Sequence, residues 1–174
     1  MTYNATIITL SLMVQANNLT EWSLEEGPAA RRLFLSPEIA SVLRETENAT
    51  FDFRELRNVI RSFLAGHFVT VSLTGAARTK ADFKRLTGLN EIWTLCSRKP
   101  RSEQYRILGR FADKDIFVGL ALFDRETLGN RNNYHMLAQT AETEWNRILP
   151  GRKPFAGRSV EAYFGGVYRN VDEF

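Results

Sequence analysis

Two arginines lie on the same side of a predicted strand at residues 105–111, where alternation places Arg106 and Arg110 on one face. A guanidinium keeps its charge at any working pH and can bind two phosphate oxygens at once. This strand face therefore favours contact with the backbone of a nucleic acid. The alternative is an internal ion pair with a carboxylate near the following turn or strand end: Asp113, Asp115 or Asp124.

The segment that leads into this strand adds to the positive charge. Residues 98–110 carry five basic side chains and a single acidic one, Glu103. Such a density of charge attracts phosphate, although most charged runs are simply solvated surface. The predicted nucleic-acid-binding residues are Arg98, Lys99, Arg101, Arg110 and Arg131.

A second group of polar residues lies between the predicted strand at 116–123 and the predicted helix at 133–149. Arg125 leaves the strand, and Tyr134 and His135 enter the helix. Helix starts favour anions, and histidine and tyrosine can transfer protons. With Arg106, these three residues are the candidate catalytic residues. The alternative is that Tyr134 is a core residue of the helix and His135 its solvated neighbour.

The sequence excludes several other kinds of site. A single cysteine, Cys96, rules out an internal disulfide and a thiolate zinc cage, and His67 and His135 are the only histidines. Phosphate-binding glycine loops and the common hydrolase and zinc-protease motifs are also missing. We therefore expect neither a metal nor a cofactor.

Length and composition indicate one compact folded domain over residues 1–174, with 44 % hydrophobic and 25 % charged residues. The formal charge of +3 is unevenly spread: residues 1–77 carry six basic and eight acidic side chains, and residues 78–174 carry 17 and 12. The longest apolar stretch is too short to span a membrane, and no basic residue precedes it as in a signal peptide. We expect a cytoplasmic protein.

The predicted fold class is α+β: a twisted antiparallel sheet, consisting of a three-stranded meander with one or two further strands, packed against a helical hairpin and a C-terminal helix. Residues 15–35 are predicted to be irregular, and the tail at 151–174 to be loosely ordered or laid on the surface. The predicted strands are 5–14, 67–73, 92–96, 105–111 and 116–123, and the predicted helices are 36–47, 52–66, 79–86 and 133–149.

Part of the chain resembles a known family. The run FKRLTGLNEIWTL at 83–95, followed by QYRIL at 104–108, an apolar strand and an alanine-containing helix, resembles the RelE/ParE/HigB superfamily of bacterial toxins. The resemblance covers about 65 of the 174 residues, and its motifs are short. It divides the chain into a strand and helical hairpin at 1–66, a RelE-like core at 67–150 and a basic, aromatic tail at 151–174.

The resemblance implies a metal-independent endoribonuclease that cleaves messenger RNA on the ribosome and is held inactive by a cognate antitoxin. It implies that Arg106 contacts phosphate, because this arginine matches the family's Tyr-Arg motif. Arg98, Arg125, Tyr134 and His135 correspond by region only. Thr94 and Cys96 depart from the family's pattern, since they occupy positions where an acid and an arginine are usual.

Two functions stay open at this stage. One is the RelE-like ribonuclease toxin. The other is a binding module without catalysis, including a ParE-like gyrase inhibitor, that uses the same cationic face for a nucleic acid or a protein.

Overall fold

The computed structural model describes residues 3–45, 53–74, 80–97, 104–129 and 131–172. Within these ranges the central element is one mixed sheet of eight strands that curls into a half-barrel. The strands are β1 (Thr20–Trp22), β2 (Arg32–Leu35), β3 (Val69–Ser72), β4 (Phe83–Arg85), β5 (Trp93–Cys96), β6 (Tyr105–Asp113), β7 (Ile116–Asp124) and β8 (Tyr168–Asn170). Their order across the sheet is β1-β2-β7-β6-β5-β4-β3-β8.

Helices pack on both faces of this sheet. The helices of the described residues are α1 (Tyr3–Gln15), α2 (Pro37–Glu45), α3 (Arg54–Leu64), α4 (Arg125–Leu128), α5 (Arg131–Ile148) and α6 (Val160–Tyr163). Buried side chains of α2, α3 and α6 join one face of the sheet in what we call the first core. Those of α1 and α5 join the other face in the second core. None of these helices is long and apolar enough to cross a membrane.

The predicted fold class is wrong, because the sheet is larger than expected and is not antiparallel throughout. β2 pairs with β7 in parallel, and β3 pairs in parallel with both β4 and β8. Four of the eight strands, β1, β2, β4 and β8, were not predicted as strands. Each has only three or four residues, too few for alternation to stand out from the surrounding loop.

The predicted strand at 5–14 is instead the helix α1. The run is apolar without polar alternation, and β-branched residues alone favoured a strand. In the structure its buried residues, Thr6 and Leu10, are four positions apart and therefore on one helical face. Thr9 Oγ1 donates to the carbonyl of Ala5 at 2.9 Å, as a threonine inside a helix can.

The elements with longer periodic patterns agree with the structure. The predicted helices at 36–47, 52–66 and 133–149 contain α2, α3 and most of α5, and the predicted strands at 67–73, 92–96, 105–111 and 116–123 coincide with β3, β5, β6 and β7. The exception is the predicted helix at 79–86, where residues 83–85 form β4 and pair with β5.

The tail after α5 is part of the core rather than loosely ordered. Val160, Tyr163 and Phe164 are at most 1 % exposed and pack in the first core. The Tyr163 hydroxyl donates to Glu91 Oε2 at 2.5 Å, and burial raises the pKa of this phenol. The sequence of this segment shows no helical periodicity, because α6 has only four residues.

Arg31, immediately before β2, holds the tail against the sheet. Its side chain is buried, and its Nε lies 3.3 Å from Asp115 Oδ1 in the turn between β6 and β7. Burial lowers the pKa of Arg31, and the neighbouring Asp115 carboxylate opposes that shift. The guanidinium also donates to four main-chain carbonyls at the end of α3 and before β8: Phe63, His67, Gly165 and Val167.

We expect Arg31→Leu to lower the free energy of unfolding by about 3–5 kcal/mol, because it leaves a carboxylate and several buried carbonyls without their partner. Urea unfolding at neutral pH measures the change. The control is the next residue: Arg32 forms a half-exposed pair with Glu21 at 2.7 Å, so Arg32→Gln should cost about 1 kcal/mol or less. Equal losses in the two variants would contradict the importance of Arg31.

Asp172 closes the other end of the tail. Its carboxylate accepts hydrogen bonds from Ser72 Oγ at 2.7 Å, from the Leu73 amide at 2.6 Å, and from the amide and hydroxyl of Thr74 at 3.0 and 2.8 Å. Partial burial acts to raise the pKa of Asp172, but these hydrogen bonds outweigh it and hold the pKa below its ordinary value of 3.8. The ionised carboxylate is therefore the form that stabilises the fold.

Because the folded-state pKa is depressed, Asp172 contributes stability above pH 3.8, and this contribution is lost as the pH falls through the lower folded-state value. Asp172→Asn should therefore be less stable than the unsubstituted chain at pH 7, and the difference should shrink in acid. Urea midpoints at pH 7 and below pH 3 test this. Glu26→Gln, at an exposed position, should show no such convergence.

Candidate functional site

The arginine-bearing face of β6 belongs to the side of the sheet that α5 covers. Leu108 lies in the second core, whereas Ile107 and Phe111 lie in the first, as the predicted alternation requires. Arg106 stands opposite Cys96 of β5 and Phe123 of β7. The two arginines of this face have different surroundings, because they lie against different parts of α5.

Arg110 is enclosed beneath α5 and is 2 % exposed. Its Nη2 donates to Glu142 Oε1 at 2.7 Å and to the carbonyl of Asn90 at 3.0 Å, and its guanidinium lies 5.8 Å from the Trp145 ring centre. The predicted contact with nucleic acid does not suit this placement. An internal ion pair was the alternative, but the partner comes from α5 and not from the hairpin.

Arg106 lies near the first turns of α5 and is half-buried. Its Nη1 donates to the carbonyl of Ser97 at 3.2 Å and its Nη2 to Gln104 Oε1 at 3.4 Å. Within the described ranges it forms no ion pair with a carboxylate. Burial acts to lower the pKa of Arg106, but its interactions with Cys96 and Tyr134 act to raise it and prevail.

Arg125 and Arg106 both donate to the side-chain amide of Gln104. At the end of the β6–β7 hairpin away from its turn, the main-chain amide of Arg125 donates to the main-chain carbonyl of Gln104 at 2.7 Å. Arg125 Nη1 then donates to Gln104 Oε1 at 3.4 Å, the oxygen that also accepts from Arg106. The amide of Gln104, which is 8 % exposed, thus holds two guanidiniums within two hydrogen-bond lengths of each other.

The nearby carboxylate of Asp124 does not neutralise this pair. Its two oxygens accept from the amide and the hydroxyl of Thr127, both at 2.6 Å, and cap α4. These bonds lower the pKa of Asp124, and the bond from the Thr127 hydroxyl contributes most. The predicted alternative of an ion pair between Arg106 and Asp124 is therefore not what the structure has.

Tyr134 approaches the two arginines from the first turns of α5. Burial raises the pKa of its phenol to about 12, the interaction with Cys96 adds to this shift, and Arg106 and Arg125 oppose it. At neutral pH the phenol is therefore protonated and can donate a hydrogen bond. It also packs against the second core, so the core role that was its alternative is fulfilled as well.

His135, the next residue, points elsewhere. It is half-buried, and its Cε1 lies 3.6 Å from the position that a Cβ on Gly88 would occupy, in the loop after β4. It forms no hydrogen bond or ion pair with any described residue. The structure thus unites Arg106, Arg125 and Tyr134 but does not join His135 to them.

Four further residues were predicted to bind nucleic acid. Arg98, Lys99 and Arg101 lie outside the described residues, and Arg131 is the first residue of α5. In the described part of the chain, no group of three or more His, Cys, Asp or Glu side chains could hold a metal ion.

Sequence reasoning missed two residues of the site. Gln104 lies in a predicted loop, although its side-chain oxygen accepts hydrogen bonds from both arginines. Lys84 was placed in a predicted helix, but in β4 it stands opposite Thr94. Burial lowers the pKa of Lys84, and its interactions with Cys96, Arg106 and Asp172 place it near the same cationic group. Only the β4 assignment could have revealed that Lys84 shares a face with Arg106.

Chemically, the site offers two guanidiniums and a protonated phenol at the edge of α5. This set suits a phosphate group, whose oxygens accept from guanidiniums in pairs. It would also stabilise negative charge that develops on such a phosphate during a reaction.

No protein-family model, curated protein or solved structure matches this chain.

Proposed function

We propose that this chain binds the phosphate backbone of RNA at Arg106 and Arg125 and cleaves the RNA there without a metal. The observation that carries the proposal is the convergence of two guanidiniums on the neutral amide of Gln104. Like charges held together repel each other, and no carboxylate of the described residues pairs with either guanidinium, so a phosphate placed between them supplies a counter-charge.

The reaction is a transesterification within the RNA. The ribose 2′-oxygen attacks the adjacent phosphorus, the bond from phosphorus to the 5′-oxygen breaks, and a 2′,3′-cyclic phosphate and a 5′-hydroxyl remain. The guanidiniums stabilise the extra charge of the phosphorane-like transition state. Tyr134, whose raised pKa keeps it protonated, donates the proton that the leaving 5′-oxygen takes up. The proton of the 2′-hydroxyl passes to a base, a role for which the RelE-like resemblance suggests His135.

The biological setting of the proposal rests on that resemblance. It makes the chain the toxin of a bacterial toxin–antitoxin pair, which acts in the cytoplasm on messenger RNA bound to the ribosome and is inhibited by a cognate antitoxin. The resemblance is carried by the segments at 83–95 and 104–108, and the second of these contains Gln104 and Arg106.

One observation favours a second candidate, which is binding without catalysis. His135 faces the loop at Gly88 instead of the arginines, so Tyr134 is the one predicted proton-transferring side chain that the structure brings to them. A binding module, including a ParE-like gyrase inhibitor, needs only the cationic pair, Arg106 and Arg125. Binding and cleavage are therefore tested separately.

For binding, we expect Arg106→Gln to weaken the complex with a single-stranded RNA about tenfold at low salt. The slope of log affinity against log salt should fall by about 0.7, since one phosphate contact is lost. Fluorescence anisotropy over a salt series measures both. Arg158→Gln, at an exposed position before α6, removes the same charge and should leave affinity and slope nearly unchanged. Equal effects of both substitutions would contradict a specific site.

For cleavage, we expect Tyr134→Phe to slow RNA breakage by about 10²-fold or more while RNA binding is kept, because the phenol is the general acid. RNA with and without ribosomes is incubated in chelator, and the ends are analysed for 2′,3′-cyclic phosphate. A 2′-O-methyl substrate should bind and remain intact. If RNA binds at Arg106 but is never cut, the chain is the non-catalytic module. DNA damage without transcript cleavage on induced expression would indicate the gyrase-type activity.

A further inference from the structure

Near its end, β7 has a second edge that no strand of the described residues occupies. β2 pairs with β7 only as far as Leu35, opposite Gly119, and the Ser36 amide makes the last bond, to the Gly119 carbonyl at 2.9 Å. The chain then turns away into α2. β7 continues for five more residues, to Asp124.

The hydrogen-bond phase of the hairpin shows which groups face this open edge. The Ser97 amide donates to the carbonyl of Tyr105 at 3.0 Å, so the main-chain groups of Tyr105 point towards β5. Those of the next residue, Arg106, therefore point the other way, towards β7. The bond from Arg125 to Gln104 has the same phase. Leu122, between the paired positions of β7, therefore directs its amide and carbonyl away from β6. No described residue bonds to either group.

A groove runs along this edge. It has a volume of about 620 Å³ and is lined by residues 120–123 of β7. Its walls differ in character. α2 supplies the apolar side chains of Ile39 and Val42, with Glu38 in its first turn, whereas α5 supplies Thr140, Glu144 and Arg147. The groove continues the line of β2, between helices on opposite faces of the sheet.

We propose that this groove binds an extended segment of a partner protein, which adds a short strand to β7 at Leu122. The unbonded amide and carbonyl match an extended backbone, whose groups repeat along one edge every two residues. Alternate side chains of the segment would meet the apolar wall of α2 and the polar wall of α5. This interaction is independent of the RNA site.

The charges at the rim favour a basic side chain in the segment. Glu144 is already paired with Arg147 at 2.9 Å, and Glu38 adds a further negative charge near that pair. A lysine or arginine of the segment would offset the negative charge of Glu38. The proposed partner therefore contributes alternating apolar and polar residues, with a basic residue among the polar ones.

The probe is the blocked peptide acetyl-Val-Thr-Val-Lys-Val-amide, titrated into the whole chain labelled with nitrogen-15. We expect the Leu122 amide signal to shift and its hydrogen exchange to slow. Two N-methylated versions follow, one modified at the valines and one at the threonine and lysine. A strand presents only one of these sets to β7, so one version should lose binding and the other should keep it.

Matched substitutions test the position of the peptide. Val42→Lys should weaken binding about tenfold, whereas Val59→Lys, at a partly buried valine of α3 outside the groove, should not. Equal binding of both N-methylated peptides, or no change at Leu122 at millimolar peptide, would overturn the proposal. So would dimerisation of the chain through this edge, seen by sedimentation and abolished by Val42→Lys, because the occupant would then be a second copy.

Discussion

The contact between Arg31 and Asp115 is the constraint on which the arrangement of the sheet depends. Next to it, the Arg32 amide donates to the Asp115 carbonyl at 2.8 Å, and this bond starts the parallel register of β2 with β7. Asp115 also accepts from the Gly165 amide at 2.7 Å, which holds the tail against the turn. One buried charge pair thus joins the N-terminal third, the central hairpin and the C-terminal segment. Because a buried charge without its partner is strongly unfavourable, these parts are held together.

Two sets of arginines among the described residues differ in their partners. Arg31, Arg85 and Arg110 are each buried or half-buried and each faces a carboxylate, so their charges are neutralised within the fold. Arg106 and Arg125 are held by carbonyl and amide oxygens, which fix their direction without cancelling their charge. The distinction separates arginines that stabilise the structure from arginines that can bind an external anion. Net charge or local charge density could not make it.

Sequence predicted the elements whose patterns extend over many residues. α3 and α5 have apolar faces at helical spacing, and β6 and β7 are nine residues long with recognisable breaks. Short strands such as β4 have too few residues for a period, and α1 has an apolar run that suits either structure. The candidate site was found in part, since Arg106, Arg125 and Tyr134 come together. The burial of Arg110 and the role of Gln104 depend on how α5 and the hairpin pack, which no local pattern encodes.

An irregularity in β7 controls where Arg125 lies. The register of the hairpin shifts between Leu108, opposite Ala121, and Gly109, opposite Gly119, which leaves Leu120 as the extra residue of a bulge. Leu120 and Ala121 consequently both contribute to the second core. A Cβ on Gly109 would overlap the carbonyl oxygen of Val118, so the close approach beside the bulge requires glycine there. Beyond the bulge the hydrogen-bond phase of β7 is changed by one residue. Without it, Arg125 would not be paired with Gln104, and Leu122 would not face the groove. The cationic pair and the open strand edge thus have the same structural cause.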